Sequence, residues 1–219
     1  MAGTIIVDKV QLDVGQDTLR VFANTGSTIF SANTLGINAA SLGYGTVPVA
    51  QIPQLTTAKM PTGSVLQVIQ VAKTDTFSAQ PGQNTWVDIT GLSVSITPTS
   101  ATSKILVFID VAVSHTVSTT GAANVRLVRG STPIYIGDAA GSRARSIASW
   151  PYDFTQYSLI RYSGVYLDSP ATTSSTTYKY QIAGQSSSYT VYVNRTHYDD
   201  NRWEDPRVAS SITVMEIAA

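Results

Sequence analysis

Cysteine is absent from the chain, which excludes a disulfide framework and any thiolate metal site. Charge is scarce as well. Asp, Glu, Lys and Arg make up 13% of the residues, about half the usual share for a soluble domain. Only two of these are Glu (Glu204 and Glu216) and five are Lys. Long solvated helices lean on Glu and Lys, so their scarcity argues against a helical protein. Fourteen basic residues balance fourteen acidic ones, leaving no basic footprint for nucleic acid and no polybasic stretch for an anionic membrane. No run approaches the ~18 apolar residues of a membrane helix. Residues Met1–Lys9 lack the basic n-region and apolar core of a signal peptide. The expectation is no nucleic-acid partner, no membrane insertion, and an extracellular location reached only by lysis or another non-secretory route.

Catalytic signatures are equally thin. There is no Gly-x-Ser-x-Gly elbow and no glycine-rich phosphate loop. The two histidines, His115 and His197, are far apart in sequence, and neither has a second histidine at ligand spacing; only a three-fold axis would gather copies of one around a metal. Asp199, Asp200, Asn201 and Asp205 do not fit an EF-hand loop, which needs alternate oxygen ligands and a sixth-position glycine. We therefore expect a non-enzymatic protein with no cofactor and no metal.

Ser and Thr supply about a quarter of the chain, alongside plentiful Val, Ile and Tyr. These residues favour an all-β fold. From Thr4 to Asn38, short alternating runs are cut by Gly15, Gly26 and Gly36, a rhythm of units too poor in apolar residues to bury a face singly. Three chains wound together could share one thin apolar seam, so residues 1–38 read as a trimeric β stalk. Residues 39–60, with Pro48 and Pro53, read as an extended connector. Residues 61–219 then carry about ten strands separated by polar turns, the spacing of a jelly-roll-like antiparallel β-sandwich head. Lys104–Val113 is its most apolar run. The last stretch, Ser211–Ile217, alternates Ile212, Val214 and Glu216 against Thr213, Met215 and Ile217, marking a buried closing strand. Ile212 and Val214 are the candidate trimer-stabilising residues.

Two loops concentrate recognition chemistry. Gly137–Tyr157 carries Arg143, Arg145, Trp150 and Tyr152. Tyr198–Pro206 carries Tyr198, Asp199, Asn201, Arg202 and Trp203. Exposed aromatic rings suit stacking against a sugar or capping a protein contact. The plain alternatives are a satellite core under a long loop for Trp150 and Phe154, and a solvated turn for the acidic window. Trp86 reads as a core residue within a strand.

Lys59–Val68, Ser95–Pro98 leading into Ser103–Val107, Arg126–Gly130 and Ser211–Ile217 together resemble head domains of bacteriophage tail-fibre proteins. The type is common in phages of cyanobacteria and other aquatic bacteria. The segments span about residues 59–219 in the family's order. This resemblance implies a homotrimer in the virion. It would dock to other tail or baseplate proteins through residues 1–38, the virion-docking region, and attach to host surface polysaccharide or lipopolysaccharide. By analogy the head is a jelly roll of the kind seen in trimeric C1q-like and tumour-necrosis-factor-like modules. No receptor residues carry over, because the surface loops are where such heads differ. Two rivals stand beside the fibre. One is a baseplate or capsid-decoration protein binding other viral subunits. The other is a depolymerising tailspike, for which Glu204 with Asp200 or Asp205 would be the carboxylate pair.

Overall fold

A computed structural model of the chain describes residues 59–116, 122–150 and 157–219, with the Trp150 side chain excepted. The stalk expected over residues 1–38, and the connector up to Ala58, lie outside the described residues. Within them run eleven strands and no α-helix. The strands are β1 (Val65–Lys73), β2 (Phe77–Ala79), β3 (Val87–Ile96), β4 (Lys104–His115), β5 (Ala123–Arg129), β6 (Thr132–Ile134), β7 (Ala148–Trp150), β8 (Ile160–Asp168), β9 (Thr176–Gly184), β10 (Val191–Val193) and β11 (Ser210–Ile217).

Two antiparallel sheets result. In the first, β4 pairs with β8 on one side and with β11 on the other, and β11 pairs in turn with β1. Beyond the start of β11, the upper end of β4 pairs with β10, which pairs with β2. In the second sheet β3, β9 and β5 lie side by side, and β6 and β7 share the far edge of β5. From β3 onward the long strands alternate between the sheets, giving the order β1-β11-β4-β8 against β3-β9-β5-β6. That is the double Greek-key arrangement of a jelly roll, and the all-β sandwich expected from composition is the fold observed.

The core follows from period-two alternation. Ile105, Val107, Ile109, Val111 and Val113 of β4 face Tyr178, Tyr180 and Ile182 of β9, each 2% exposed or less. Both tyrosine hydroxyls find partners, as buried hydroxyls must. Tyr178 donates to Asp168 (2.7 Å) and Tyr180 to the Ser211 carbonyl (3.3 Å). Asp168 also receives Arg129 at 2.8 Å. Burial pushes both phenols far above their ordinary pKa.

Several sequence expectations shift in detail. Val87–Ile89 and Leu92–Ile96 belong to one strand, β3, bent through Gly91, whose φ of +81° suits a residue without Cβ. Trp86 lies outside that strand and only half buried, with the Arg126 guanidinium 4.2 Å above its ring. A half-exposed indole under a cation is a surface pairing, not a core residue. The run at Tyr157–Ile160 is strand only at Ile160, where β8 begins, and the Gly164–Leu167 run belongs to that same strand. The short strands β2 and β7 had too few residues to show a period. The closing strand is confirmed and is internal to its sheet. Ile212 and Val214 are both wholly buried in the core of a single chain, so neither side chain reaches a neighbouring subunit. On that strand Thr213 and Met215 face outward.

Strand direction separates the two ends of the sandwich. At the near end, Gly63 N–H donates to the Ala218 carbonyl (2.8 Å) and Ala218 N–H to that of Ser64 (2.9 Å). The loop over residues 97–103 is here too, with Thr99 bonded to Glu216. The chain thus enters and leaves the sandwich together. At the far end β4 finishes at His115, beside Val191, and the 194–209 connection from β10 to β11 begins.

Candidate functional site

Asn194 starts that connection with a φ of +64°, a left-handed conformation that Asn tolerates better than other side chains do. It is fully buried. Its amide donates to the carbonyls of Lys73 (2.8 Å) and Asp75 (3.0 Å), and its oxygen accepts from Ser210 Oγ (2.6 Å). Ser210 Oγ in turn accepts from Ala112 N–H (2.9 Å). One side chain therefore ties the ends of β1, β4, β10 and β11, and the loop between Asn194 and Ser210 springs from a rigid base. Asn194→Ala is expected to cost about 3 kcal/mol, from three lost buried hydrogen bonds and an unfavourable left-handed alanine. Hydrogen exchange should show faster amide exchange across residues 195–209 than across β9.

The loop folds over the upper outer face of the first sheet. Ser114 Oγ donates to the Arg195 carbonyl (2.7 Å), and Arg161 of β8 reaches across β4 to the Ala209 carbonyl (2.9 Å). This cover explains why the outward residues Ala112 and Ser114 are buried. Inside the loop, Asp205 is buried and accepts from Thr196 Oγ1 (2.6 Å). Asp199, itself at φ +57°, is gripped through both oxygens by Arg207 (2.8 and 2.7 Å), with Arg195 at 3.4 Å. The Arg207 hydrogen bonds hold the Asp199 carboxyl below its usual range, against a partial burial that would raise it, with Arg195 adding to the fall. Burial lowers the His197 pKa, and the nearby Arg195 charge lowers it further, so His197 is neutral at pH 7.

Asp205 N–H donates to the Arg202 carbonyl (3.2 Å), closing a turn whose two corner residues are Trp203 and Glu204. Trp203 is 98% exposed. An indole so placed gives up its full burial energy, on the order of 2–3 kcal/mol. Beside it Tyr198 is half exposed and packs edge-on against Tyr157 (centroids 6.4 Å). Arg202 donates to the Tyr157 hydroxyl at 3.3 Å and lies 3.8 Å from Asp200. His197 is tilted against both Tyr192 and Tyr198, and Arg195 covers the Tyr192 ring at 4.4 Å. The arrangement joins flat aromatic faces to exposed amide, guanidinium and carboxylate groups, including Asn201.

Of the residues singled out in the sequence, Tyr198, Asp199, Asn201, Arg202 and Trp203 are brought together, with the Asp199 carboxylate occupied as a brace. Arg143 and Arg145 sit in the loop between β6 and β7, against the second sheet. Their loop is pinned to β5 by Ile147 N–H to the Val125 carbonyl (2.9 Å) and by Ser146 to Asn124 (3.2 Å). Arg145 spans it, donating to the Gly137 carbonyl (2.7 Å), while Arg143 is exposed. Tyr152 lies outside the described residues, as does the Trp150 side chain, though the Trp150 backbone pairs with Ala123. Sequence reasoning passed over Asn194, Tyr192 and Arg195. Tyr192 and Arg195 read as an ordinary strand end, and only the positive φ of Asn194 distinguishes the hinge. Among the described residues no cluster of three His, Asp or Glu side chains could hold a metal.

No protein-family profile matches the chain, and no curated protein does. Among solved structures, a chain from the Gt strain of infectious bursal disease virus matches at 15% identity and a TM-score of 0.36. It covers 80% of this chain and 41% of its own. A chain from T=1 particles derived from the same virus matches at 12% identity and 0.36, over 81% and 42%. This chain thus spans about two fifths of the length of those it matches. At these values the fold assignment rests on the strand pairing above and not on the superpositions.

Proposed function

We propose that the chain is a non-enzymatic virion structural protein, a tail fibre whose head attaches to host surface polysaccharide or lipopolysaccharide through the 194–209 loop. One observation carries this reading. The 98% exposed Trp203 stands on a braced loop at the end of the sandwich opposite the Gly63–Ala218 pairing that precedes β1. That polarity suits a head that is anchored at one end and makes contact at the other. Sugar recognition by stacking and a few polar groups is weak per site, and several heads on one particle turn weak sites into firm attachment. The low charge, the tail-fibre resemblance and the absence of a catalytic motif fit the same role.

The test is binding of the full chain to a panel of bacterial polysaccharides and lipopolysaccharides, with reducing ends assayed in parallel. The expected result is binding to a subset with no release of reducing ends. Release would make the protein a depolymerase, and absence of binding across a panel that includes the host's own polysaccharide would overturn the reading. A second reading, a baseplate or capsid-decoration protein, is favoured by one feature. The lower outer face of the first sheet is apolar and open, a surface of the kind that packs against protein. Co-purification with capsid in place of glycan binding would select it.

A further inference from the structure

The first sheet has two outer faces in effect. Its upper half lies beneath the 194–209 loop, while its lower half has no cover among the described residues. Two rows of side chains cross that lower half in register. Val68, Met215, Leu106 and Leu167 form one row, and Gln70, Thr213, Phe108 and Val165 the next. Val68 and Leu167 are each 53% exposed and Val165 50%. The only polar members, Gln70 and Thr213, bond each other at 2.7 Å. Strands that have one sheet face in the core normally carry polar residues on the other, and here that rule fails across four adjacent strands.

We propose that this face is where a second copy of the same chain packs, side by side with the first. Three observations choose that occupant. The face carries no charge, and the charges at its borders are engaged: Asp110 with Arg161 above, and Lys104 with Ser169 below. A charged polysaccharide or an anionic lipid surface finds nothing to pair with, whereas two copies meet neutral against neutral. The face also borders the near end, where Gly63 and Ser64, just before β1, pair with Ala218. Copies joined through their first 58 residues are held together at that end, at an effective concentration in the mM range. Finally, four strands at ~4.8 Å spacing and two rows of side chains cover on the order of several hundred Å². That is within the size of the largest apolar patch a typical monomer exposes, and it falls well short of the ~800 Å² per partner of a free-standing interface. A tethered homotypic contact fits this size. The proposal rests on the multi-chain fibre reading for the tether.

The natural absence of cysteine allows a clean test in the full chain. Leu167→Cys and, as a control on an exposed loop, Thr173→Cys are each reacted with a maleimide, and Leu167→Cys is also spin-labelled. Light scattering gives the number of chains. Both side chains are exposed, so both variants should fold with an unchanged circular dichroism spectrum. The expected result is a multi-chain particle, labelling at residue 167 at least ten-fold slower than at 173, and a spin–spin broadening that fades as unlabelled chain is mixed in. Equal labelling rates in a multi-chain particle would overturn this surface and leave the fibre reading standing. Protection without intermolecular broadening would mean that residues 1–58 of the same chain cover the face, which also overturns the proposal. A monomeric mass would overturn both.

Discussion

Trp203→Ala is expected to lower attachment of the assembled fibre by about 10²–10³-fold while leaving the unfolding midpoint where it was. The two halves of that expectation have separate causes. A stacked aromatic contact contributes roughly 1–1.5 kcal/mol, or about ten-fold per site. In the multivalent attachment proposed above, a ten-fold loss at each of two or three engaged sites multiplies across them. Stability is untouched because the indole, 98% exposed, packs against almost nothing in the folded chain. Trp203→Phe should retain most of the binding. The measurement is surface binding of the full chain to immobilised host polysaccharide, beside a thermal melt. A large fall in the melting temperature would mean that Trp203 supports the loop. Unchanged binding would remove the turn from the attachment site.

Glu216→Ala is expected to cost about 3 kcal/mol, lowering the melting temperature by roughly 10 °C. Glu216 is fully buried at the near end of the sandwich. It accepts from Gln67 Nε2 (2.6 Å) through one oxygen, and from Thr99 N–H and Thr99 Oγ1 (both 2.7 Å) through the other. The carboxylate therefore fastens the 97–103 loop to β1 and β11. Truncation leaves three donors without an acceptor, which costs more than the bonds themselves contributed. Glu216→Gln should cost less, since the shape survives, but its amide would set a donor against Gln67.

The same residue makes stability pH-dependent. Burial alone would raise the Glu216 pKa, but the Gln67 and Thr99 donors outweigh it and hold the folded value below the usual carboxylate range. A group depressed in the folded state adds stability that is complete above its unfolded pKa, about 4.3. That stability is lost as pH falls through the folded value. Denaturant titrations of the wild-type chain should therefore show this loss below about pH 4, and Glu216→Gln should flatten that part of the curve.

Glu216 also shows how far the alternation in its strand could be read. Ile212, Val214 and Glu216 share one phase of β11, and all three are inside. Period alone placed them there, because successive side chains in a strand must point to opposite faces. Period could not say that the third, a carboxylate, would meet Gln67 and Thr99, residues 149 and 117 positions away. The same limit applied to assembly. Ile212 and Val214 were the apolar pair on the closing strand and the natural choice for a subunit contact. The core of their own chain takes them, and the outward phase of four strands carries the open apolar face.

At the candidate site the aromatic and charged composition of residues 198–203 was legible, and composition alone also nominated Arg143 and Arg145. Pairing places the two loops apart, since one is pinned to β5 and the other rises from the Asn194 base beside β4. Composition and periodicity by themselves determined that this chain is all-β and scarce in charge. They also determined that Lys104–Val113 is central and Ser211–Ile217 internal, because burial and alternation are local properties of a strand. Only the tertiary structure decided which strands neighbour one another, that Trp203 stands clear at the far end, and which face of the first sheet is left open. Those outcomes depend on contacts between residues from about 45 to about 150 positions apart, which no local pattern encodes.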